Sequence, residues 1–370
     1  KEKRKTEEDM KMKRKVITAL LAATMVASLA VGCGNKGGDS KSDSSKSSSS
    51  DEITIGFSQV GAESDWRTAN SESMKSTFSE KNGYKLIFDD AQQKQENQLT
   101  AIRNFIQQDV DYIVLAPVTE TGWDTVLKEA KDADIPVIIV DRMIDVSDDS
   151  LYTAWVGSNF KMEGQKACEW LNAYAEAKGM KEVNIAHIQG TIGASAQIGR
   201  TEGLEEAAKE YGWNIVAQQT GEFTQAKGQE VMESMLKQYD NINVVYCEND
   251  NEAFGAIDAI EAAGKTVGSD IANGEIMVMS FDTTNAGLTD TLAGKIACDV
   301  ECNPLHGPRA EELIKALEAG EEVEKLNYVD EEIFATDDTV DKVKAVNSLD
   351  EEGEYAVTPI TQEIIDGRAY

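Results

Sequence analysis

Residues that commonly bind metals or form disulfides are scarce in this sequence. Among 370 residues there are two histidines, His187 and His306, and five cysteines. No cysteine pair has the Cys-x-x-Cys spacing of a zinc site, and no Cys/His spacing resembles one. Cys298 falls in a predicted strand and Cys302 lies just beyond it, and extended chain would separate them by about 13 Å, too far for a disulfide without a sharp turn. The composition therefore argues against a metal site, and no cofactor is implied.

Positively charged residues are also few relative to negatively charged ones. Lys and Arg number 36 against 67 Asp and Glu, which gives a formal net charge of −31. Such an acidic surface repels the phosphates of nucleic acids and the headgroups of anionic lipids. We therefore expect no nucleic-acid partner and no direct adsorption to an anionic membrane.

Long apolar runs are absent except at residues 16–32, which follow a basic segment containing Lys11, Lys13, Arg14 and Lys15. A run of this length marginally suffices to span a bilayer, and a cleaved secretory signal is the alternative. Residues 30–33 (AVGC) resemble the bacterial lipobox, in which the cysteine is lipidated and becomes the new N-terminus, although Ala30 stands where leucine is usual. We predict a signal peptide at residues 1–32 and lipidation of Cys33. Residues 1–9 precede the first methionine and are interpreted as lying before the natural start.

Residues 34–50 are small or polar, with no apolar side chain among them. Such a segment cannot bury enough surface to offset the entropy of an ordered chain. We predict that residues 33–52 comprise the lipidated cysteine and a disordered tether, which holds the body near the membrane.

From residue 53 onward, apolar runs alternate with helical patterns. The runs are continuous, which is typical of strands covered on both faces of a parallel sheet. Strands are predicted at residues 53–57, 84–88, 111–115, 137–140, 183–188, 214–218, 244–247, 276–281 and 296–300. Helices are predicted at residues 69–81, 95–107, 122–133, 161–177, 196–211, 227–238, 253–263, 287–292 and 308–318. The pattern predicts an α/β protein with two doubly wound parallel sheets, whereas the polar stretch after residue 332 has no clear pattern.

Polar and aromatic side chains follow the predicted strands in both halves of the body. Ligands of open α/β sheets bind beyond the carboxyl ends of the strands, so these side chains would line a cleft if the two edges face each other. Carboxylates, amides and arginine forks match the paired donors and acceptors of sugar hydroxyls, and aromatic rings stack on the C–H faces of a sugar. The combination predicts a site for a small polar ligand, with a sugar favoured.

Each of these residues also has a purely structural interpretation. Aspartates at strand ends are typical helix caps; those concerned are Asp90, Asp141 and Asp282. Core packing and ion pairing are the alternatives for Trp66, Phe223 and Arg142. His187 lies inside a strand and is interpreted as a core residue, and the glycine pattern at residues 190–193 as a tight turn.

The body, from residue 53 to the end, resembles the ribose-type periplasmic sugar-binding proteins of ABC importers, and within them the galactofuranose-binding members. The resemblance rests on residues 56–61, 63, 66–67, 92–98, 116–118, 121–123, 141–142, 189–195, 221–224, 227–234 and 249–250. It implies the two-lobed type I periplasmic-binding-protein fold with a three-segment hinge. The first lobe would comprise residues 53–158 and 302–331, and the second lobe residues 159–301 and 332–370.

The resemblance also implies which residues contact the sugar. In the first lobe they are Glu63, Trp66, Arg67, Asp90, Gln92, Asp141 and Arg142. In the second lobe they are Arg200, Phe223, Asn249, Asp282 and Glu301. Ribose binders usually have an aromatic residue where Arg67 stands and an amide where Glu301 stands, so both departures favour a galactofuranose-type pocket.

The function implied is capture of a monosaccharide by closure of two lobes, followed by delivery to the importer's permease subunits. The protein is expected to be a monomer without enzymatic activity, exported and held by its lipid at the outer face of the cytoplasmic membrane. The alternative is a sugar-sensing protein that presents its closed form to a membrane receptor or sensor kinase. A transcription regulator of the same fold would need a helix-turn-helix before residue 53, where a signal and tether are predicted instead.

Overall fold

The computed structural model describes residues 52–370, so the predicted signal peptide, Cys33 and nearly all of the predicted tether lie outside the described residues. The strands are β1 Ile53–Gln59, β2 Tyr84–Asp90, β3 Tyr112–Leu115, β4 Val137–Val140, β5 Ala154–Gly157, β6 Asn184–Gln189, β7 Asn214–Thr220, β8 Val244–Cys247, β9 Met277–Asp282, β10 Ile296–Glu301, β11 Leu326–Tyr328, β12 Ile333–Ala335, β13 Lys342–Val346, β14 Glu352–Ala356 and β15 Thr358–Pro359.

Helices alternate with these strands. They are α1 Asp65–Thr77, α2 Gln95–Gln107, α3 Asp124–Asp132, α4 Phe160–Lys178, α5 Ser195–Tyr211, α6 Gln225–Gln238, α7 Asp250–Ala262, α8 Asn285–Leu292, α9 His306–Glu318 and α10 Gln362–Gly367. Short 3-10 turns lie at Glu80–Asn82, Asp149–Leu151 and Ile271–Asn273. Across residues 52–370 no helix combines the length and apolarity that crossing a membrane requires.

The strands form two large sheets, as predicted. The first has the order β11-β5-β4-β3-β1-β2 and is parallel throughout. The second has the order β15-β12-β10-β9-β8-β6-β7. It departs from the prediction of a parallel sheet at one pair, because β12 returns antiparallel to β10. The two-lobed α/β architecture is confirmed.

Each sheet is covered on both faces, which explains its continuous apolar strands. In β3, Ile113 and Leu115 belong to one buried cluster, whereas Tyr112 and Val114 belong to the cluster on the opposite face. Every residue of β4 is likewise buried. Since neither face meets water, no polar alternation is needed in these strands.

The chain passes between the sheets three times. The first crossover lies between β5 and α4, the second follows β10, and the third joins β11 to β12. The carboxyl ends of the strands of both sheets therefore meet at one cleft.

Two features differ from the sequence-based expectations. Helix α1 begins at Asp65, four residues before the predicted start, because the Ser64 side chain accepts a hydrogen bond from the backbone N–H of Arg67. The short strand β5 and the strands after residue 325 were not predicted. The hairpin strands β13 and β14 alternate between exposed and more buried side chains, a weak pattern in a polar stretch.

Candidate functional site

A cleft lies between the two lobes, with about 280 Å³ of space that is partly open to solvent. Nine of the predicted residues line it: Glu63, Trp66, Arg67, Asp141, Arg142, Arg200, Phe223, Asn249 and Asp282. Four further residues line it that were not predicted: Ser64, Phe160, Ala196 and Cys302. All four lie at the start of a helix or directly after a strand, so an extension of the strand-end criterion to helix starts would have included them.

Two arginines of the first lobe form a buried ion network. Arg67 places Nη2 2.6 Å from Asp141 Oδ2 and Nε 3.0 Å from Glu63 Oε1. Arg142 places Nη2 3.4 Å from the same Glu63 oxygen, and its Nη1 donates to the carbonyl of Val118 at 3.2 Å. Burial disfavours the charge on Asp141, but Arg67 and Arg142 outweigh it and hold the pKa of that carboxyl below its usual value. The network therefore presents fixed, charged hydrogen-bonding groups to the cleft.

Asp141 has an unusual backbone conformation that aims its side chain into the cleft. Its φ of 64° lies in the left-handed region that residues other than glycine rarely occupy. Its N–H donates to the carbonyl of Val156 at 2.9 Å, and its carbonyl accepts from the Trp155 indole at 3.0 Å. A β-carbon on Gly157 would lie 2.3 Å from that carbonyl oxygen, so only glycine allows this close approach.

Arg200, on α5, organises the second lobe's side of the cleft. Its Nε lies 2.7 Å from Glu163 Oε2, its Nη1 donates to the carbonyl of Glu248, and its Nη2 lies 3.6 Å from Asp282 Oδ1. The guanidinium also packs over the ring of Phe281, 4.7 Å from its centroid. Burial raises the pKa of the Asp282 carboxyl well above its usual value, although the Arg200 charge opposes this.

The two predicted aromatic residues are each held in place by a hydrogen bond. The Trp66 indole donates to the carbonyl of Cys302 at 2.6 Å. This hydrogen bond joins the first helix of the first lobe to the start of the second crossover. Phe223 has φ +60°, and its backbone N–H donates to Glu252 Oε1 at 2.9 Å. The guanidinium of Arg142 lies 5.0 Å from the Phe223 ring centroid. Both rings are buried at the cleft wall, so they combine core packing with a surface for a ligand.

The structural alternatives are resolved residue by residue. Asn249 is the N-cap of α7, because its Oδ1 accepts from the N–H of Glu252 at 2.9 Å, and it also lines the cleft. Asp282 does not cap α8, whose N-cap is Thr284. The prediction that His187 is a core residue is confirmed, since the side chain is fully buried with Nε2 2.8 Å from Glu248 Oε1.

Three predicted residues lie outside the lining of the cleft. Asp90 and Gln92 are exposed, and Asp90 accepts a hydrogen bond from the N–H of Gln92 at 2.8 Å. Asp90 ends β2 and Gln92 follows it, and β2 is an edge strand of its sheet that ends beside the cleft rather than in it. Glu301 is buried, but its carboxylate contacts Arg368 at 2.7 Å and accepts from the Tyr370 hydroxyl at 2.6 Å.

Three polar atoms of the described cleft residues are buried without a hydrogen-bond partner: Glu63 Oε2, Asp141 Oδ2 and Arg200 Nη2. Asp141 Oδ2 and Arg200 Nη2 have only ion-pair contacts, with Arg67 and Asp282 respectively, whereas Glu63 Oε2 has neither. An unpaired buried polar group costs about 1–3 kcal/mol. Hydroxyl groups of a ligand could supply the missing partners, because each hydroxyl can donate and accept.

The family model described as a periplasmic binding protein domain matches residues 55–306. The galactofuranose-binding protein YtfQ of Escherichia coli is 42% identical over 302 residues, which cover 80% of this chain and 92% of that protein.

Two solved structures are similar over most of their length. One, from Mycobacterium smegmatis in complex with β-D-fucofuranose, is 45% identical with a TM-score of 0.72, covering 78% of this chain and 92% of that one. The other is the binding protein of the arabinose ABC transporter of Shewanella sp. ANA-3, bound to α- and β-L-arabinofuranose. It is 44% identical with a TM-score of 0.71, covering 76% of this chain and 92% of that one.

Proposed function

Since the chain belongs to the periplasmic binding protein family, we propose that it captures a furanose-form monosaccharide in its cleft and delivers it to an ABC-type sugar importer. Membership confirms the family predicted from the sequence motifs. It also agrees with the prediction of a binding protein rather than an enzyme, because members of this family act by binding. The ligand, the contact residues and the lipid anchor are the proposed elements.

The charge of the cleft supports a neutral ligand. Arg67, Arg142 and Arg200 each lie within 4 Å of at least one buried carboxylate oxygen. An anionic ligand, such as a sugar phosphate or sugar acid, would have to displace one of those carboxylates. Breaking a buried pair costs about 3–5 kcal/mol, so a sugar without a charge is favoured.

The furanose form is proposed from the relatives, since the names of all three report furanose ligands. We propose galactofuranose or a related furanose, contacted by the nine predicted residues that line the cleft.

Capture is proposed to work by lobe closure. Glu63, Asp141 and Arg142 belong to the first lobe, whereas Arg200, Asn249 and Asp282 belong to the second. A ligand that contacts both sets binds the closed arrangement more tightly than an open one, so it shifts the population toward closure. The importer's membrane subunits would then recognise the closed form.

The N-terminal segment is proposed to determine where the protein is located. We infer that residues 1–32 are removed during export and that Cys33 carries a lipid, because residues 30–33 resemble a lipobox. The segment up to residue 52 would then act as a tether that holds the binding domain near the importer.

The binding experiment combines a sugar screen with one substitution. D-galactose, L-arabinose and other pentoses and hexoses, whose solutions contain furanose forms, are screened by thermal shift, and the hits are titrated by calorimetry. A ligand at about 100 times its Kd stabilises the folded state by about 2.7 kcal/mol. Arg142→Ala is expected to abolish binding, because it removes a guanidinium group that lines the cleft and contacts both Glu63 and the Val118 carbonyl.

The matched control is Arg103→Ala, which breaks an exposed ion pair with Glu129 on the surface of the first lobe. It should bind like the wild-type protein, and circular dichroism should show both variants folded. Binding by Arg142→Ala within about tenfold of wild type, or about 1.4 kcal/mol, would contradict the assignment of the site. Absence of any sugar binding by the wild-type protein would contradict the proposed function.

A further inference from the structure

Two consecutive residues at the end of β9 have strained backbones. Asp282 has φ +107° and Thr283 has φ +53°, and neither is glycine. Conformations of this kind cost about 1–3 kcal/mol each and persist only where the surroundings hold them. Since Asp282 lines the cleft, whatever holds this pair also determines where its carboxyl points.

Arg368 provides the contacts that hold Thr283. Its Nε donates to the Thr283 carbonyl at 2.9 Å, and its Nη2 donates to the Thr283 Oγ1 at 2.5 Å. The planar guanidinium thus hydrogen-bonds to both the backbone and the side chain of Thr283, which a lysine cannot do with the same geometry. On the other side, the Thr283 N–H donates to Asp299 Oδ1 at 3.2 Å.

Arg368 is itself fixed from several directions. Its Nη2 lies 2.7 Å from Glu301 Oε1, and the Tyr370 hydroxyl donates to the same carboxylate oxygen at 2.6 Å. The guanidinium lies 5.2 Å from the Phe334 ring centroid and 4.7 Å from that of Tyr370. The Tyr370 carbonyl accepts from the Asn285 N–H at 2.8 Å.

The structure gives Glu301 a contact with Arg368, whereas the resemblance implied a contact with the sugar. Glu301 ends β10, beside Asp282 at the end of β9, and the two residues are partners in the parallel register. Instead of lining the cleft, its carboxylate anchors Arg368 behind the strained pair. A carboxylate at this position forms an ion pair with Arg368. An amide could not do so, because an ion pair requires a charge on both groups.

We propose that Arg368, anchored by Glu301 and Tyr370, is a positioning residue that fixes the Asp282 carboxyl for ligand binding through Thr283. The proposal rests on the proposed function, because it assigns Asp282 a contact with the sugar. Arg368 does not line the cleft, so it acts on the ligand only through Asp282.

The alternative is that residues 368–370 simply close the end of the second lobe. In that case Arg368→Gln would lower stability, and its effect on binding would be independent of Asp282. A double-mutant cycle distinguishes the two, because residues that act through one another have non-additive effects.

The test uses the full chain with L-arabinose and D-galactose as probes, titrated by calorimetry, and melting temperatures are measured in parallel. Arg368→Gln is expected to weaken sugar binding about tenfold, the value of one charged hydrogen bond in the complex. In an Asp282→Asn background the same change should cost less than about threefold, because the positioned carboxyl is already absent. Arg103→Gln, which alters an exposed arginine of the first lobe, is the control and should change neither quantity.

Tyr370→Phe provides a second, milder variant that removes only the hydroxyl, which donates to Glu301 and accepts from Arg368 Nη2 at 2.6 Å, and it is carried through the same cycle. Wild-type affinity in both Arg368→Gln and Tyr370→Phe would overturn the inference while leaving the proposed function intact. Equal losses in the wild-type and Asp282→Asn backgrounds would also overturn it. Failure of the wild-type protein to bind any sugar would overturn both proposals together.

Discussion

Glu331 lies where the three crossovers between the lobes meet. Its Oε1 accepts from the Ser158 hydroxyl of the first crossover at 2.5 Å and from the Asn303 N–H of the second at 2.9 Å. Glu331 itself belongs to the third crossover. Burial, and then the nearby charge of Glu163, raise the pKa of the Glu331 carboxyl well above its usual value. One carboxyl therefore connects the three segments about which the lobes must move.

The raised pKa predicts how stability depends on pH. The folded protein keeps the Glu331 proton above the usual pKa of 4.5, whereas the unfolded chain loses it there, so this group makes stability fall as pH rises. The slope reaches at most about 1.4 kcal/mol per pH unit. Glu331→Gln is expected to flatten this fall as the pH rises above the usual pKa of 4.5, measured as the free energy of unfolding in urea.

Glu96→Gln, at an exposed position on α2, is the control and should keep the wild-type pH dependence. An unchanged slope in Glu331→Gln would show that Glu331 does not hold its proton in the folded state.

At the scale of single elements, α1 illustrates how a helix start places ligand-contacting groups. Ser64 caps the helix, so the first turn carries Trp66 and Arg67 into the cleft. The sequence pattern placed this helix start at residue 69, because apolar periodicity becomes clear only there. Because the cap lies before the periodic residues, Trp66 and Arg67 belong to the helix and not to the loop in which the sequence pattern placed them.

Removal of this cap is expected to affect stability and binding together. Ser64→Ala should lower the free energy of unfolding by about 1 kcal/mol, the usual value of an N-cap. It should also weaken sugar binding severalfold, since the first turn would fray where Trp66 and Arg67 lie. Urea unfolding and calorimetry measure the two effects.

The control is Asp148→Ala, which removes the exposed side-chain cap of the 3-10 turn Asp149–Leu151 in the same lobe. It is expected to leave the affinity for sugar unchanged. If Ser64→Ala lost stability without any loss of affinity, α1 would not position its first turn for the ligand.

For the whole molecule, direct hydrogen bonds across the cleft show that the lobes are closed. The Asp65 N–H donates to Asn251 Oδ1 at 3.0 Å, and the Met143 N–H donates to Ser195 Oγ at 2.8 Å. At the rim, the Glu120 N–H donates to the Gly193 carbonyl at 2.9 Å. These contacts join first-lobe loops to second-lobe loops, so opening must break them, and a bound sugar would add to their number.

The proposed anchor also belongs to this scale, because it determines where the closed molecule can meet an importer. In a bacterial host, Cys33→Ser is expected to move the protein from the membrane fraction to the soluble fraction. It should also remove the mass of the lipid from the mature chain, measured by mass spectrometry. Cys168→Ser, which alters a buried free cysteine, should leave fractionation unchanged. Identical fractionation and identical mass for Cys33→Ser and wild type would contradict lipidation.

Most of the framework could be predicted from the sequence alone. The buried strands β4 and β8 carry continuous apolar runs, and α2 begins and ends where its pattern does. These features depend on neighbours in the chain, so local patterns suffice to find them. The cleft residues that follow strands near the middle of each sheet, such as Asp141 and Asn249, could be predicted for the same reason.

The remainder depended on the order of strands in space. Asp90 also lies at the carboxyl end of a strand, but β2 is outermost in its sheet, so the side chain lies away from the cleft. Glu301 ends a central strand, yet Arg368 and Tyr370 reach it from about 70 residues further along the chain. The sequence by itself therefore determined which residues form strands, helices and candidate contacts. Only the tertiary structure decided which of those contacts meet, because that choice depends on strand order and on partners distant in the chain.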